Sequence, residues 1–243
     1  TKEQKDAMSN YVPTEILNMD MSRDNFLYTV TPGRIISGKG YKGTADSIRC
    51  LNPKGTDIIE SSMPSKVLSS FESDSRYLNY VDIVYGSGGF ISVIDNRRGR
   101  ICQFDENMRL VTAFGGIGSY VGTFSSPCAI EEINGQIAVL DSQKCNITFF
   151  SLTATGKKVH EALGLYNSGD YSASLEPWKE VIEENPEFQL AYIGIGNALF
   201  NEGRYKEAMN YYELGKYSEG YSNAFHEYRV EAMRNSYVVL LVG

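Results

Sequence analysis

The hydrophobic pattern of this chain changes period near residue 150, and a single kind of layer cannot accommodate both halves. Upstream, apolar residues alternate in short runs. Gly89-Phe90-Ile91-Ser92-Val93-Ile94-Asp95 returns 46 residues later as Gly135-Gln136-Ile137-Ala138-Val139-Leu140-Asp141. Each run follows a Gly turn, ends in Asp, and is followed six residues on by a second run, at Ile101 to Phe104 and at Ile147 to Phe150. A polar turn, Asp105-Glu106-Asn107, leads into Leu110 to Phe114. Alternation at period two with turn residues at fixed offsets predicts antiparallel strands. Repetition at this length predicts four-stranded units of the propeller-blade kind. A weaker third copy precedes them: Asn25 to Thr31, with Thr31 in place of Asp, then Ile48 to Leu51, with a Gly- and Lys-rich insertion (Gly33 to Gly43) between.

Downstream the period is 34 residues. Gly169-Asp170-Tyr171 recurs as Gly203-Arg204-Tyr205, Trp178 as Tyr212, and Ser174 as Ala208. Helix-turn-helix units of this period stack through small residues where helices touch and aromatics where they interlock. Asn185-Pro186 ends a helix, because proline disfavours helical geometry in the residue before it. Asn223 to Arg234 is expected as a capping helix over the last apolar face.

The helical half resembles the tetratricopeptide family. Tyr192, Ile195, Gly196 and Leu199 stand at its first-helix positions, Gly203 and Tyr205 make its turn, and Ala208 and Tyr212 begin its second helix. The first unit fits through Ala162, Leu165, Gly169, Tyr171, Ser174, Trp178 and Pro186, whereas Lys158 and Glu161 depart from it. The strand half resembles NHL-type blades through Pro127, Gly135, Ile137, Val139, Asp141, Ile147 and Phe149. The resemblance implies a multidomain β + α chain. It would hold a polar N-terminal helix or linker (1–13), an incomplete propeller of about three NHL-type blades (14–153), a TPR-like α-helical hairpin stack with its cap (154–236) and an apolar tail (237–243). Closed propellers have about four to eight blades. Three blades therefore leave two outcomes: a fragment of a longer protein, or two chains completing one ring as a homodimer through open propeller edges.

The resemblance also implies a bacterial protein tethered to the membrane beyond its C-terminus and displayed outside the cytoplasm, with a cytoplasmic location as the alternative. Tyr237 to Gly243 is apolar with Arg229 and Arg234 before it, but a span needs about 20 apolar residues. That tail is expected either as the first turns of a membrane helix or as a strand or helix end packed on the last repeat. Net charge is −7, and from residue 156 onward eight basic face thirteen acidic residues. This balance argues against nucleic acid or an anionic lipid surface as partner, since both need basic patches.

Chemistry-bearing residues are sparse. Cys50, Cys102, Cys128 and Cys145 lack CxxC spacing and nearby histidine, so neither metal nor other cofactor is expected. His160 and His226 have no serine or cysteine at nucleophile spacing. Gly115-Gly116-Ile117-Gly118-Ser119 lacks the Lys of a phosphate loop and is expected as a crossing between blades. Asp95 and Asp141 are expected to cap turns. Some six-bladed propellers are hydrolases, which hold a metal on the axis with carboxylates from several blades. Alignment on the Gly turn places Met21, Tyr85 and Glu131 together, and Asp20, Val84 and Ile130 before them. No ring of carboxylates emerges from that alignment.

The expected function is therefore non-enzymatic: a scaffold binding an unidentified protein or peptide. Its groove would be lined by Leu163, Tyr166 and Asn167, then Ile193, Asn197, Phe200 and Asn201, a mix of rings and amides suited to a peptide. A second surface would be the propeller loop carrying Arg97, Arg98 and Arg100. The alternative is part of a lactonase-like propeller hydrolase whose metal site lies in other blades.

Overall fold

A computed structural model describes residues 16–31, 48–59 and 79–242, without the side chains of 235–242. The expected helix over 1–13 and the insertion at 33–43 lie outside the described residues. The chain divides into two compact units, Thr1–Ser151 and Leu152–Gly243.

Among the described residues, three antiparallel sheets build the first unit. The first has the order β1 (Asn18–Met21), β2 (Leu27–Val30), β3 (Ile48–Leu51). The second runs β4 (Tyr80–Tyr85), β5 (Ile91–Asp95), β6 (Arg100–Phe104), β7 (Leu110–Gly115). The third is β8 (Pro127–Ile133), β9 (Gln136–Asp141), β10 (Asn146–Phe150), with β9 in the middle. Side chains alternate across a strand, and the middle sheet uses both of its faces. Ile91 and Val93 of β5 pack with Tyr28, Val30, Ile48 and Cys50 of the first sheet. Ile94, one residue on, packs with Ile130, Ile137 and Val139 of the third. Every residue of β5 is buried as a result, which is why its sequence is apolar on both parities. Sheets stacked in this way, each beginning with the strand that meets its neighbour's first strand, are consistent with a partial, propeller-like fold.

Buried aspartates shape the turns. Asp141 accepts from the backbone N–H groups of Ser125, Ser126, Gln143 and Lys144 at 2.6 to 3.2 Å. Burial alone would raise its pKa, but these four donors hold it below the usual carboxylate value. Asp95, at the matching position, accepts from Asn79, Arg97 and the Arg98 guanidinium. Asp105 does the same for Asn107 and Arg109. The two-residue turn Asn134-Gly135 has positive φ at both positions (51° and 73°), the geometry that matches strand twist in a tight hairpin.

The second unit holds five helices among the described residues: α1 (Ala154–Asn167), α2 (Tyr171–Glu184), α3 (Gln189–Asn201), α4 (Tyr205–Leu214) and α5 (Ser218–Val242). Thr153 caps α1 through Gly156 N–H, and Asp170 caps α2 through Ala173 N–H. Buried Trp178 lies against α3 at Gly194, where a Cβ would come within 2.4 Å of its ring. Tyr212, 34 residues on, lies against the same helix at Gly196. The repeat in sequence is therefore a repeat of ring on glycine. Lys158 bridges to Glu180 and Glu184 of α2 at 2.7 Å, replacing apolar packing with ion pairs. The last helix differs from expectation: α5 starts at Ser218 and runs unbroken to Val242, so 237–242 continues the helix that begins before Asn223. No described helix is long and apolar enough to cross a membrane.

Candidate functional site

The first strands of the three sheets, β1, β4 and β8, lie side by side and are joined by carboxylates. Asp20 on β1 accepts from the backbone N–H of Met21 through Oδ1 and from that of Tyr85 on β4 through Oδ2, both at 2.7 Å. Asp82 on β4 repeats the pattern, with Oδ1 on Ile83 N–H (2.9 Å) and Oδ2 on Ile130 N–H of β8 (2.7 Å). Each aspartate thus stiffens its own strand and fixes the next sheet. Asp82 is 4% exposed. Burial pushes its pKa up against the pull of the Ile130 and Ile83 N–H groups, and the charges of Glu131 and Asp20 add to the rise.

Strand pairing corrects the sequence alignment by one residue. Leu27, Ile91 and Ile137 are equivalent, and their partners are Met21, Tyr85 and Glu132. Glu132, not Glu131, therefore stands with Tyr85, and Glu131 stands with Asp20 and Val84. Five residues separate the paired Tyr85 and Ile91 and four separate the paired Glu132 and Ile137, a difference of one that alignment on glycine cannot see.

That shift brings a pair of residues into view at the ends of β4 and β8. Glu132 Oε1 accepts from Ser87 N–H at 3.0 Å and from the Ser87 hydroxyl. Its Oε2 lies over Gly86, where a Cβ would fall 2.2 Å away. The Gly86-Ser87-Gly88-Gly89 turn is therefore a cradle for a carboxylate delivered by the neighbouring sheet. Gly89, at φ 81°, closes the turn through its N–H to Gly86 O. Beside it the Tyr85 hydroxyl donates to Glu106 Oε1 at 3.1 Å. Burial and the Glu106 charge push the Tyr85 pKa up to about 12, so this ring stays a donor across the usual pH range. Tyr85 also stacks on Tyr28, with ring centroids 5.4 Å apart. Chemically, the cradle offers an exposed hydroxyl bonded to a fixed carboxylate, the arrangement a serine nucleophile and its base require.

All four oxygens of Asp20 and Asp82 already accept backbone N–H groups, and none of the described residues form a group of three side chains able to hold a metal ion.

The groove residues expected from sequence largely serve one another. Leu163 is buried within the helix packing. Asn201 Nδ2 donates to the Tyr166 hydroxyl (2.8 Å) and to Asn197 O (3.1 Å), and Asn197 Oδ1 accepts from the Tyr212 hydroxyl (2.9 Å). Phe200 meets Tyr205 edge to face at 5.4 Å, and Tyr166 meets Tyr171 at 5.2 Å, the same contact one repeat earlier. Ile193 is half-buried against Gly215, and Asn167 is exposed. On the loop, Arg98 is bound to Asp95 at 3.1 Å, while Arg97 and Arg100 are exposed to either side. Cys50 and Cys102 are buried, and Cys128 and Cys145 more open; none of the four forms a disulfide.

No family model matches the chain, and no curated protein does. Solved structures do. Virginiamycin B lyase from Staphylococcus aureus aligns at 13% identity and TM-score 0.32, over 59% of this chain and 43% of that one. A streptogramin B lyase aligns at 15% and 0.34, over 58% and 42%. A catalytically inactive virginiamycin B lyase with quinupristin aligns at 14% and 0.26, over 58% and 57%. The chain thus spans less than two thirds of each. These proteins are lyases, so the expectation of a non-enzymatic scaffold, binding through the helical groove or the arginine loop, is withdrawn. At these TM-scores the likeness gives this chain no activity of its own.

Proposed function

We propose that the β unit is an arc of a propeller enzyme that cleaves esters or lactones, with Ser87 as nucleophile and Glu132 as its base. The contact of the Ser87 hydroxyl with Glu132 Oε1, made across two sheets and held in the Gly86 cradle, carries this reading. Ser87 Oγ attacks the ester carbonyl as its proton passes to Glu132. The bond to the alcohol oxygen breaks, and Glu132 returns the proton to the leaving alcohol. Glu132 then takes a proton from water as the water oxygen bonds the acyl carbon, and passes it to Ser87 Oγ as the acyl–Oγ bond breaks, releasing the acid and restoring the serine. Tyr85 beside the turn keeps its hydroxyl protonated and Glu106 bound. The NHL and tetratricopeptide character drawn from sequence remains part of this proposal, with the helical unit as an appended module.

Turnover of a panel of p-nitrophenyl esters, lactones and a streptogramin B tests it. Products read by mass spectrometry should gain one water per bond cleaved, and Ser87→Ala and Glu132→Gln should each abolish the reaction. Ring opening without added water would instead indicate elimination, and turnover unchanged in Ser87→Ala would refute the assignment.

A further inference from the structure

Ser87 lies at one end of the strands, and the opposite end has a different chemistry. Asp95, Arg100 and Gly115 share that end of the second sheet, and Pro127, Asp141 and Asn146 share it in the third. The 96–99 turn, the 116–126 crossing and the 142–145 turn therefore lie together. Asn96 Nδ2 donates to Pro127 O at 2.7 Å, and Ile117 lies over Gly99, where a Cβ would fall 2.7 Å from its Cδ1. These connections hold Arg97, Arg98 and Lys144, with Arg100 beside them, and no Asp or Glu. Asp95 and Asp141, at the base of the turns, are buried. On the crossing, Ile117, Tyr120 and Val121 are 54%, 82% and 102% exposed. Hydrogen bonds fix that pose. Phe124 N–H donates to Gly116 O (2.8 Å), Gly118 N–H to Phe124 O (2.9 Å), and both the N–H and the hydroxyl of Thr123 to Tyr120 O (3.1 and 2.6 Å). Lys144 Nζ adds a bond to Thr123 O at 2.8 Å, and Phe124 anchors the loop, fully buried.

We infer that this end of the β unit seats on an anionic lipid bilayer. Tyr120 and Val121 enter the boundary between headgroups and acyl chains, and Arg97 and Arg100 meet the headgroup phosphates and carboxylates. An apolar side chain wholly in water contributes nothing to the fold, yet burying it elsewhere is favourable. A bonded loop that holds two such side chains outward is organised for contact, and contiguous exposed apolar surface marks contact sites. The cations decide what the contact is. A nucleic acid would use them and leave Ile117 and Val121 in water, whereas a bilayer surface takes charge and apolar tip together. Tyrosine suits that boundary, with its ring in the apolar layer and its hydroxyl at the wet side. The chain's net charge of −7 does not oppose this. Within about 8 Å, the screening distance in physiological salt, a headgroup at this end meets the local cations.

Co-sedimentation of the 243-residue protein with vesicles tests this. It should pellet with phosphatidylcholine vesicles holding about one third phosphatidylserine, and stay in solution with phosphatidylcholine alone or in about 1 M salt. Tyr120→Ser with Val121→Ser removes apolar tip and no charge, and should weaken binding about tenfold or more. Arg97→Gln with Arg100→Gln should do the same, since each cation near such a surface is worth about fivefold. Circular dichroism should be unchanged in both, because all four side chains are exposed. Trp178 is the one tryptophan and is buried, so Tyr120→Trp adds a reporter that brominated lipid should quench while leaving the wild-type emission alone. A wild type that stays in solution with the anionic vesicles, binding indifferent to the Tyr120 and Val121 pair, or an unquenched Tyr120→Trp would overturn the inference. None of these results touches the Ser87 reading, which is measured on soluble esters without lipid.

Discussion

Ser87 and Glu132 stand 45 positions apart in the chain and meet at one hydrogen-bonded contact, serine hydroxyl to carboxylate, where the second sheet's first hairpin faces the third sheet's first strand. Neither residue is held by its own strand alone. Ser87 sits in a glycine turn that leaves room for a carboxylate, and Glu132 is aimed by the register of β8 on β9. Asp82 joins β8 to β4 through Ile130 N–H, beside the packing of Val84 on Ile130 and Val139.

Gly86 is the first residue to test. An added methyl would fall 2.2 Å from Glu132 Oε2, and a carboxylate at the end of a flexible side chain moves aside. Gly86→Ala should therefore lower ester turnover at least about tenfold, since general-base assistance is worth roughly 10²–10⁴-fold. The melting temperature should change little. Steady-state kinetics beside a thermal melt separates the two effects.

The latches should matter to stability rather than to chemistry. Asp82→Ala leaves the N–H groups of Ile83 and Ile130 without their acceptor in a buried setting, at a cost of about 1–3 kcal/mol. Asp20→Ala does the same to Met21 and Tyr85 at a more open position and should cost less. Urea unfolding followed by circular dichroism gives both values.

Two aspartates should titrate with opposite signs. Asp141 has a folded pKa below its ordinary value of 3.8, so it adds stability above that value and loses it as pH falls through the folded one. Asp82 has a raised folded pKa, so between 3.8 and that higher value the native state holds the extra proton and stability falls as pH rises. Replacing Asp141 with Ala should flatten the acid limb of a stability–pH curve and lower its plateau. Replacing Asp82 with Asn should flatten the decline on the other side.

In the helical unit, Gly194→Ala drives a methyl into the Trp178 ring, which is fully buried and cannot retreat. Overpacking of this kind costs about 1–3 kcal/mol, and Trp178→Ala should cost about 3–5 kcal/mol. Calorimetric melts of the two variants, compared with Gly164→Ala, where nothing lies within 4 Å, provide the check.

Periodicity carried the architecture. Ile91, Val93 and Ile94 announce a strand buried on both faces, and Trp178 with Tyr212 announces a helical repeat, because burial is written into every second or every third and fourth residue. Asp95 and Asp141 were legible as turn caps for the same local reason. Ser87 and Glu132 were not, because their meeting depends on the lengths of two different hairpin turns. A one-residue slip put Glu131 where Glu132 stands and hid the contact. The signal that could have exposed it was the Gly86-Ser87-Gly88-Gly89 run, too glycine-rich for an ordinary hairpin. The partners of the groove amides were not legible either: Asn201 bonds Tyr166 and Asn197 bonds Tyr212, each contact spanning two helices.

The most direct test of the account is covalent trapping of the nucleophile. The protein is incubated with an alkyl fluorophosphonate, which loses fluoride to an activated serine, and the adduct is located by peptide mass spectrometry. The account predicts one modified residue, Ser87, with labelling slowed at least about tenfold in Glu132→Gln. Labelling elsewhere, no labelling, or a Ser87 adduct formed equally fast without the Glu132 carboxylate would contradict it.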